Sequence, residues 1–510
     1  MPSESFPLPP SLEEGRRRIA EALAAGRADA AWQICVALLE GGPQPELFHL
    51  MAVVRDAQGQ SEQALAFYEG AAQLLPGRAD VAYNYGIALQ RAGRLAAAVI
   101  QWRRAAELAP AHAEAWRNLG LALAECGELP AAEAALARLT ALCPDQAGTV
   151  RLDLGNSCFQ ARHFTAAAGY YRQAVALAPD DAAAWCNLGE CLSALGESAE
   201  AERCLRHAIA LAPALDKARF NLGCLLLRHG KWREGFAGYE FRASRLKVPA
   251  ALAALPVWRG DMAPGTRVAL WNDQGFGDAI QFVRFAAGLA ARGQVAVAVV
   301  DPPLVRLFQS VPGLAAAVPQ AGPLPPLQAQ LPLSSLGACL ALAADDDLWA
   351  GPYMPAAPAA PRTKGGGPLR LGLAWRGNFP PAKTPPPEVF EPLLALPGLD
   401  WTALQPVSPP WPGRVAPFPA AGGDFAETAA LLQDLDLVVT VDTATAHLAG
   451  ALGKPAWLLL LKDCDWRWRD AGDGTPWYPT LRLFRQPSHG DWAGAVAALA
   501  EALRGLMPPG

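Results

Sequence analysis

The chain has 510 residues, a formal net charge of −5 at pH 7 and 52% hydrophobic residues. That length predicts roughly two to four domains with ample core. The charge, with Lys and Arg dispersed rather than blocked, argues against a general nucleic-acid or membrane-surface binder. The 10 cysteines include no CxxC pair, so neither a zinc site nor a disulfide framework is suggested, and reduced thiols in a cytoplasmic protein are expected. Residues 1–18 lack an apolar signal core, and no apolar run approaches membrane-spanning length, so no membrane span is expected.

From the N-terminus the chain repeats itself. Pro43, Pro76, Pro110, Pro144, Pro179 and Pro213 recur at spacings of 33, 34, 34, 35 and 34. Gly86, Gly120, Gly155, Gly189 and Gly223 keep the same phase in the first helix of each unit. Gly59, Gly93, Gly127, Gly196 and Gly230 mark the turn, and Ala64, Ala98, Ala132, Ala167 and Ala201 the helix crossing. Small residues let paired helices approach, and each Pro stops a second helix by removing an N–H donor. This pattern resembles the tetratricopeptide repeat. It implies an α-superhelical array at 1–245, with a concave groove, built by stacking neighbour on neighbour.

Asn84, Asn118, Asn187 and Asn221 share a phase two residues before the first-helix Gly, and Asp153 interrupts the series. That phase faces the concave side of such stacks. A carboxamide donates and accepts, so the series can grip an extended peptide without reading its sequence. The plainer alternative is that each Asn bonds the neighbouring helix. The series resembles the asparagine ladder of O-GlcNAc transferases, which implies a protein acceptor in the groove. The unit at 230–242 replaces Ala with aromatic and charged residues and is expected to cap the array against the next domain; 246–265 reads as a linker.

From Arg267 short apolar strands alternate with helices, an α/β signature. Strands are expected at 268–271, 295–300, 369–375 and 435–441, with helices at 278–291, 445–452 and 492–506. A Pro- and Gly-rich stretch at 355–368 divides this region into Rossmann-like halves at 266–360 and 361–510, facing each other across a cleft in the GT-B manner. The last helix is expected to pack back on the first half. Gly275-Phe276-Gly277-Asp278 forms a short Gly loop between strand and helix that lacks the third Gly of a dinucleotide fingerprint. Asp442 and Thr443 sit where a buried parallel strand meets a small-residue helix. There the free N–H groups and positive dipole end offer a phosphate site.

Together these pieces resemble glycosyltransferase family 9, the heptosyltransferase family, and its repeat-linked bacterial members. The ordered matches are the Gly-loop Asp, 372–378 with Trp375 and Arg376, Leu404-Gln405, 441–455, Trp466-Arg467-Trp468, 476–479 and 482–486. The resemblance implies a nucleotide-sugar donor and no metal or other cofactor. By position it assigns the catalytic roles to Asp278 as base, His447 and Lys383. It assigns donor binding to Gly275, Gly277, Trp375, Arg376, Gln405, Asp442, Thr443, Thr445, Ala446 and His447. The loop at 379–387 departs from the more polar, Arg-containing loop of the relatives. Asp345-Asp346-Asp347 and Asp463-Cys464-Asp465 superficially fit the carboxylate pair of a metal-dependent transferase, but read as solvated acidic turns. The leading expectation is a transferase acting on Ser or Thr of a protein, flagellin or another surface protein. The alternatives are a lipopolysaccharide-type or lipid-linked sugar transferase whose repeats recruit partners, and an inactive adaptor.

Overall fold

The computed structural model describes residues 11–354, 367–377, 381–419 and 424–506. The boundary expected at 360/361, Asn378 of the matched segment, and Phe379 and Pro380 of the divergent loop lie outside the described residues. The architecture is α plus α/β, in two compact units, Met1–Leu192 and Ser193–Gly510.

The first unit is a run of helical hairpins that begins with Leu12–Ala24 and Ala28–Glu40 and continues through Ala147–Gln160 and Phe164–Leu177. The turns use the glycines that the period marks: Gly59, Gly93 and Gly127 have φ of 73°, 73° and 82°, the left-handed region that glycine enters without steric cost. The crossing alanines Ala64, Ala98, Ala132 and Ala167 are fully buried.

The second unit contains the last repeat helices and two parallel sheets. In the first sheet β1 (Arg267–Trp271), β2 (Val295–Val300), β3 (Leu314–Pro319) and β4 (Ala329–Pro332) take the order β3-β2-β1-β4. In the second, β5 (Leu369–Ala374), β6 (Leu399–Ala403), β7 (Val415–Ala416), β8 (Leu437–Val441), β9 (Ala456–Leu460) and β10 (Leu481–Arg485) take the order β10-β9-β8-β5-β6-β7. The strands β8 and β9 are buried at every position, as strands covered on both faces must be. In each sheet the order reverses beside the first strand, between β1 and β4 and between β5 and β8. Open parallel sheets bind ligands at the carboxyl ends of strands at such switch points.

Two expectations change. The helix Trp492–Arg504 buries Trp492, Val496, Leu499 and Leu503 against Leu371, Trp457 and Phe484 of the second sheet; it covers its own half rather than the first, because its apolar stripe meets the sheet that precedes it. The stretch at 246–265 is stitched to the first sheet. Trp258 N–H donates to Gln330 O at 3.0 Å and Gln330 N–H to Pro256 O at 2.9 Å, and Leu252 and Trp258 are buried. No helix among the described residues is long and apolar enough to cross a membrane.

The hairpin Asp216–Arg228 and Trp232–Tyr239 belongs to the second unit's main core. Trp232, Phe236 and Tyr239 pack edge-on against Trp477, Phe282 and Trp466, so aromatic residues replace alanine where the repeat joins this core.

Candidate active site

The switch-point loops of both sheets line one cleft of about 680 Å³. From β1 comes the loop Asn272 to Gly275, which opens the helix Phe276–Phe282 with Asp278 in its first turn. From β5 come Arg376 and Gly377, and from β8 come Asp442, Thr443 and the helix Ala444–Ala451. The two helices touch. A Cβ on Gly277 would lie 2.7 Å from His447 Cδ2 and 3.4 Å from Ala444 Cα, so only glycine permits this approach of the halves.

Thr443 is the N-cap of Ala444–Ala451, but its side chain makes no capping bond. Its hydroxyl lies 3.1 Å from Thr440 Oγ1, which in turn donates to Val441 O at 2.7 Å. Thr443 lines the cleft while its hydroxyl also reaches Thr440, and the helix start keeps open N–H groups along the cleft wall at Ala444 and Thr445. Thr445 and Ala446 are buried, and Ala446 N–H is taken by Thr443 O at 3.0 Å.

Charge is concentrated at one end. Lys383 Nζ donates to Asp442 Oδ2 at 2.6 Å. Burial works against the Lys383 charge, but the Asp442 and Asp465 carboxylates outweigh it and its pKa is raised. The Arg467 guanidinium donates to Asp278 Oδ1 and Gln281 Oε1, and to Asp465 Oδ1 at 2.7 Å. Burial pushes the Asp278 pKa up; Arg467 counters this only in part, and Asp465, Asp273 and Asp442 reinforce it. Burial alone would raise Asp465 too, yet Arg467 and Lys383 hold it below the usual carboxylate range. Two neighbouring carboxylates are thus pushed apart, the arrangement that separates a base from a permanent charge. The Arg376 side chain is exposed on the cleft wall, with no hydrogen-bond partner among the described residues.

Other residues expected at the ligand do different work. Gln405 accepts from Trp375 N–H and Arg376 N–H, both at 3.0 Å, and donates to Arg376 O; its amide clamps the loop. Trp375 is 5% exposed and packs on Trp411, 5.4 Å between centroids, a core position behind the site. His447 lines the cleft but is 5% exposed, with Nδ1 3.0 Å from Tyr478 Oη and its ring 5.2 Å from Trp468. Burial, with Arg467 close by, drives its pKa well below 6.5, so it is neutral. Gly377 lets Lys383 approach, since a Cβ there would meet Lys383 Cβ at 2.8 Å; its N–H donates to Thr384 Oγ1 and its carbonyl oxygen accepts from Thr384 Oγ1, both at 3.1 Å.

The acidic turns part company. Asp345 accepts from Trp232 Nε1 and Arg469, both at 2.8 Å, and Asp347 caps its own turn. Asp465, read from sequence as part of a solvated turn, instead lines the cleft. Asp465 and Arg467 are the site residues that sequence reasoning missed; the signal was an Arg flanked by two Trp directly after an acidic pair.

In the array, Asn84 Nδ2 meets His49 Nε2 at 3.0 Å, Asn118 Nδ2 donates to Tyr83 Oη at 3.4 Å, and Asn187 Nδ2 to Asn156 Oδ1 at 2.9 Å. Each of these bonds the first helix of the preceding unit, as the plainer alternative expected. Asp153 accepts from Arg117 at 2.6 Å. Asn221 is half-buried.

Comparison with known proteins agrees with this layout. Residues 86–147 and 159–233 match tetratricopeptide repeat families, and residues 420–459 match glycosyltransferase family 9 (heptosyltransferase). That last match spans β8, the helix Ala444–Ala451 and part of β9. Protein FlbA of Caulobacter vibrioides is 26% identical, across 90% of this chain and 84% of that protein. A tetratricopeptide repeat protein from Parabacteroides merdae is 15% identical over 46% of this chain and 92% of its own, with a TM-score of 0.36. Pseudomonas aeruginosa pilF is 20% identical over 41% and 96%, with a TM-score of 0.30. The chain carries tetratricopeptide repeats and a glycosyltransferase-like C-terminal region.

Proposed function

We propose that this chain transfers a sugar from a nucleotide-sugar to an acceptor hydroxyl, with inversion and without a metal, and that the acceptor is Ser or Thr of a protein engaged by the repeats. The observation that carries the reading is that Asp278, on one half, and the open first turn of Ala444–Ala451, on the other, line one cleft. The acceptor oxygen attacks the anomeric carbon while the bond from that carbon to the phosphate oxygen breaks. The hydroxyl proton goes to the Asp278 carboxylate, and the nucleotide leaves with the bonding pair. A raised pKa makes Asp278 a better base than an ordinary aspartate. The growing phosphate charge meets the N–H groups at Ala444 and Thr445, which the helix start orients before reaction, and the exposed Arg376 guanidinium. The Lys383–Asp442 pair offers a donor and an acceptor to sugar hydroxyls. Flagellin or another surface protein is the acceptor we favour, because a repeat array is a protein-binding device.

Calorimetry of the full chain with UDP, GDP, ADP, CDP and CMP tests this reading. One nucleotide should bind, and Arg376→Ala should weaken it about tenfold, the loss of one charge-assisted contact. Asp278→Asn should keep that affinity yet lower nucleotide release from the matching sugar-nucleotide by about 10²–10⁴-fold. Binding by none of them, or undiminished release in Asp278→Asn, would overturn the assignment.

A further inference from the structure

We infer that Arg467 is a positioning residue for Asp278: reaching from the second half, it fixes the orientation and charge state of the base on the first half through a fork shared with Asp465. The inference rests on the transferase reading only in taking Asp278 as the base. The Arg467 side chain is 6% exposed, and each guanidinium nitrogen is used: Nε on Gln281, Nη1 on Asp465 and Nη2 on Asp278. Its plane stacks on Trp466, 4.3 Å from the ring centroid. Its own backbone is held by Asp465 Oδ1, which accepts Arg467 N–H at 3.1 Å, and by Thr475 Oγ1, which donates to Arg467 O at 3.1 Å. Arg469, which ends the turn, sits at φ 60° and ψ −177°. That conformation is costly for a side-chain-bearing residue, and it is pinned by the Arg469 ion pair to Asp345 at 2.8 Å.

This geometry divides the two Asp278 oxygens. Oδ1 is occupied by Arg467, while Oδ2 faces Gly275, where a Cβ would come to 3.5 Å; Oδ2 is the oxygen left for the acceptor proton. A planar fork fits two carboxylates and an amide at once, which a lysine cannot do. The groups facing Asp278 from the surrounding elements are Arg467 and Asp465 on the Trp466–Trp468 turn, Asp273 on its own loop, and Asp442 after β8. Lys383 and Tyr239 complete the ring through Asp465 and Arg467. Arg467 is the member of the first group that favours the charged base, and Asp465 opposes it.

The two neighbours therefore predict opposite signs. The test is the pH dependence of Asp278 modification by a water-soluble carbodiimide and an amine, which requires the protonated carboxyl, read by peptide mass spectrometry on the full chain. Arg467→Met should move the Asp278 midpoint up by about one pH unit or more. Arg467→Lys should move it up by less, and Asp465→Asn should move it down. A packing defect would not give opposite shifts. Midpoints unchanged in Asp465→Asn and in Arg467→Lys, with both variants folded by circular dichroism, would overturn the inference; so would shifts of the same sign. Nucleotide release from UDP-, GDP-, ADP- and CDP-sugars across the same pH series separates the two readings. The expected labelling shifts with no release from the unsubstituted chain would remove the transferase reading and leave the Arg467–Asp278 coupling standing.

Discussion

A glycine stands at one phase of the first helix in successive repeats, yet the structure uses it in two ways. In the first unit a large side chain from the second helix lies over it. A Cβ on Gly86 would meet the Trp102 ring at 2.5 Å, one on Gly120 would meet Leu136 Cγ at 2.5 Å, and one on Gly155 would meet the Tyr171 ring at 2.6 Å. In the final hairpin the partner is another glycine: a Cβ on Gly223 would lie 2.6 Å from Gly238 C and Tyr239 N. There the helix backbones touch, and the second helix is free to turn Trp232, Phe236 and Tyr239 outward into the core shared with both sheets. The same small residue makes room for a side chain in the earlier repeats and for a backbone in the repeat that joins the core of the transferase-like region. Repeat period and packing boundary are therefore different things: the period runs on to Gly230, while the compact unit ends at Leu192.

The sharpest way to break this comparison is to add one methyl group in each setting. In Gly223→Ala the obstacle is backbone, so the hairpin must separate. We expect a loss of about 3 kcal/mol, the upper end of the overpacking range, measured by urea unfolding of the full chain. Asp278 would be affected as well. Tyr239 Oη is bonded to Gln274, at 2.8 Å from its Nε2, and Gln274 lies in the loop ahead of Asp278. Nucleotide affinity should fall with stability. Gly120→Ala meets a side chain that can change rotamer, and gains up to about 1 kcal/mol of helix propensity. Its net cost should be at least twofold smaller, with nucleotide affinity unchanged. Equal losses in the two variants would mean that the final hairpin is an ordinary repeat.

Legibility in the sequence follows the same division. Repeats and parallel strands were readable because period and burial are local in the chain: Val295–Val300 fell where expected, and the other strand boundaries moved by a residue or two. Asp278, Asp442 and Lys383 were readable as one cleft because each follows a strand end at a switch point. Arg467 and Asp465 were not, since their turn follows no such end and reaches the cleft through contacts 186 and 189 residues away in sequence, to Gln281 and Asp278. Gln405 and Thr443 line the cleft and are bonded to neighbouring backbone and to Thr440 as well, while Trp375 packs on Trp411 behind it. Nothing in a single chain reveals such prior commitments. The terminal helix shows the same limit: its apolar stripe announces that it is covered, not by which sheet.

Histidines extend the comparison to pH. His447 in the second unit is buried beside Arg467, and its pKa lies well below 6.5. His49 in the first unit is also lowered by burial, but Asp80, at 3.9 Å, partly compensates. A depressed folded pKa means that the unfolded chain binds a proton the folded chain refuses. Stability is then fully present above the unfolded value and falls as pH drops below it. As pH falls below 6.5, His447 should progressively lower the stability of the second unit. His447→Gln should flatten that dependence, and His49→Gln should remove a smaller slope. Urea midpoints at three pH values would decide it. A slope unchanged in His447→Gln would mean that His447 takes up its proton as readily in the folded chain as in the unfolded one.

The smallest expected effect concerns the outside of the array. Leu74, Leu108, Leu142 and Leu177 stand two residues before successive repeat prolines and are 50%, 42%, 42% and 57% exposed. At the same phase in the second unit, Leu211 is half-buried. An exposed leucine has already left most of its transfer free energy unrealised, so Leu177→Gln should change stability by less than about 0.5 kcal/mol. Leu211→Gln should cost about 1 kcal/mol, a fraction of the full burial value. The pair thereby measures whether the change of environment seen at the glycines also reaches the outer face. If Leu177→Gln cost as much as Leu211→Gln, the leucine row of the first unit would be covered in solution, and these repeats would be bearing a partner on that face.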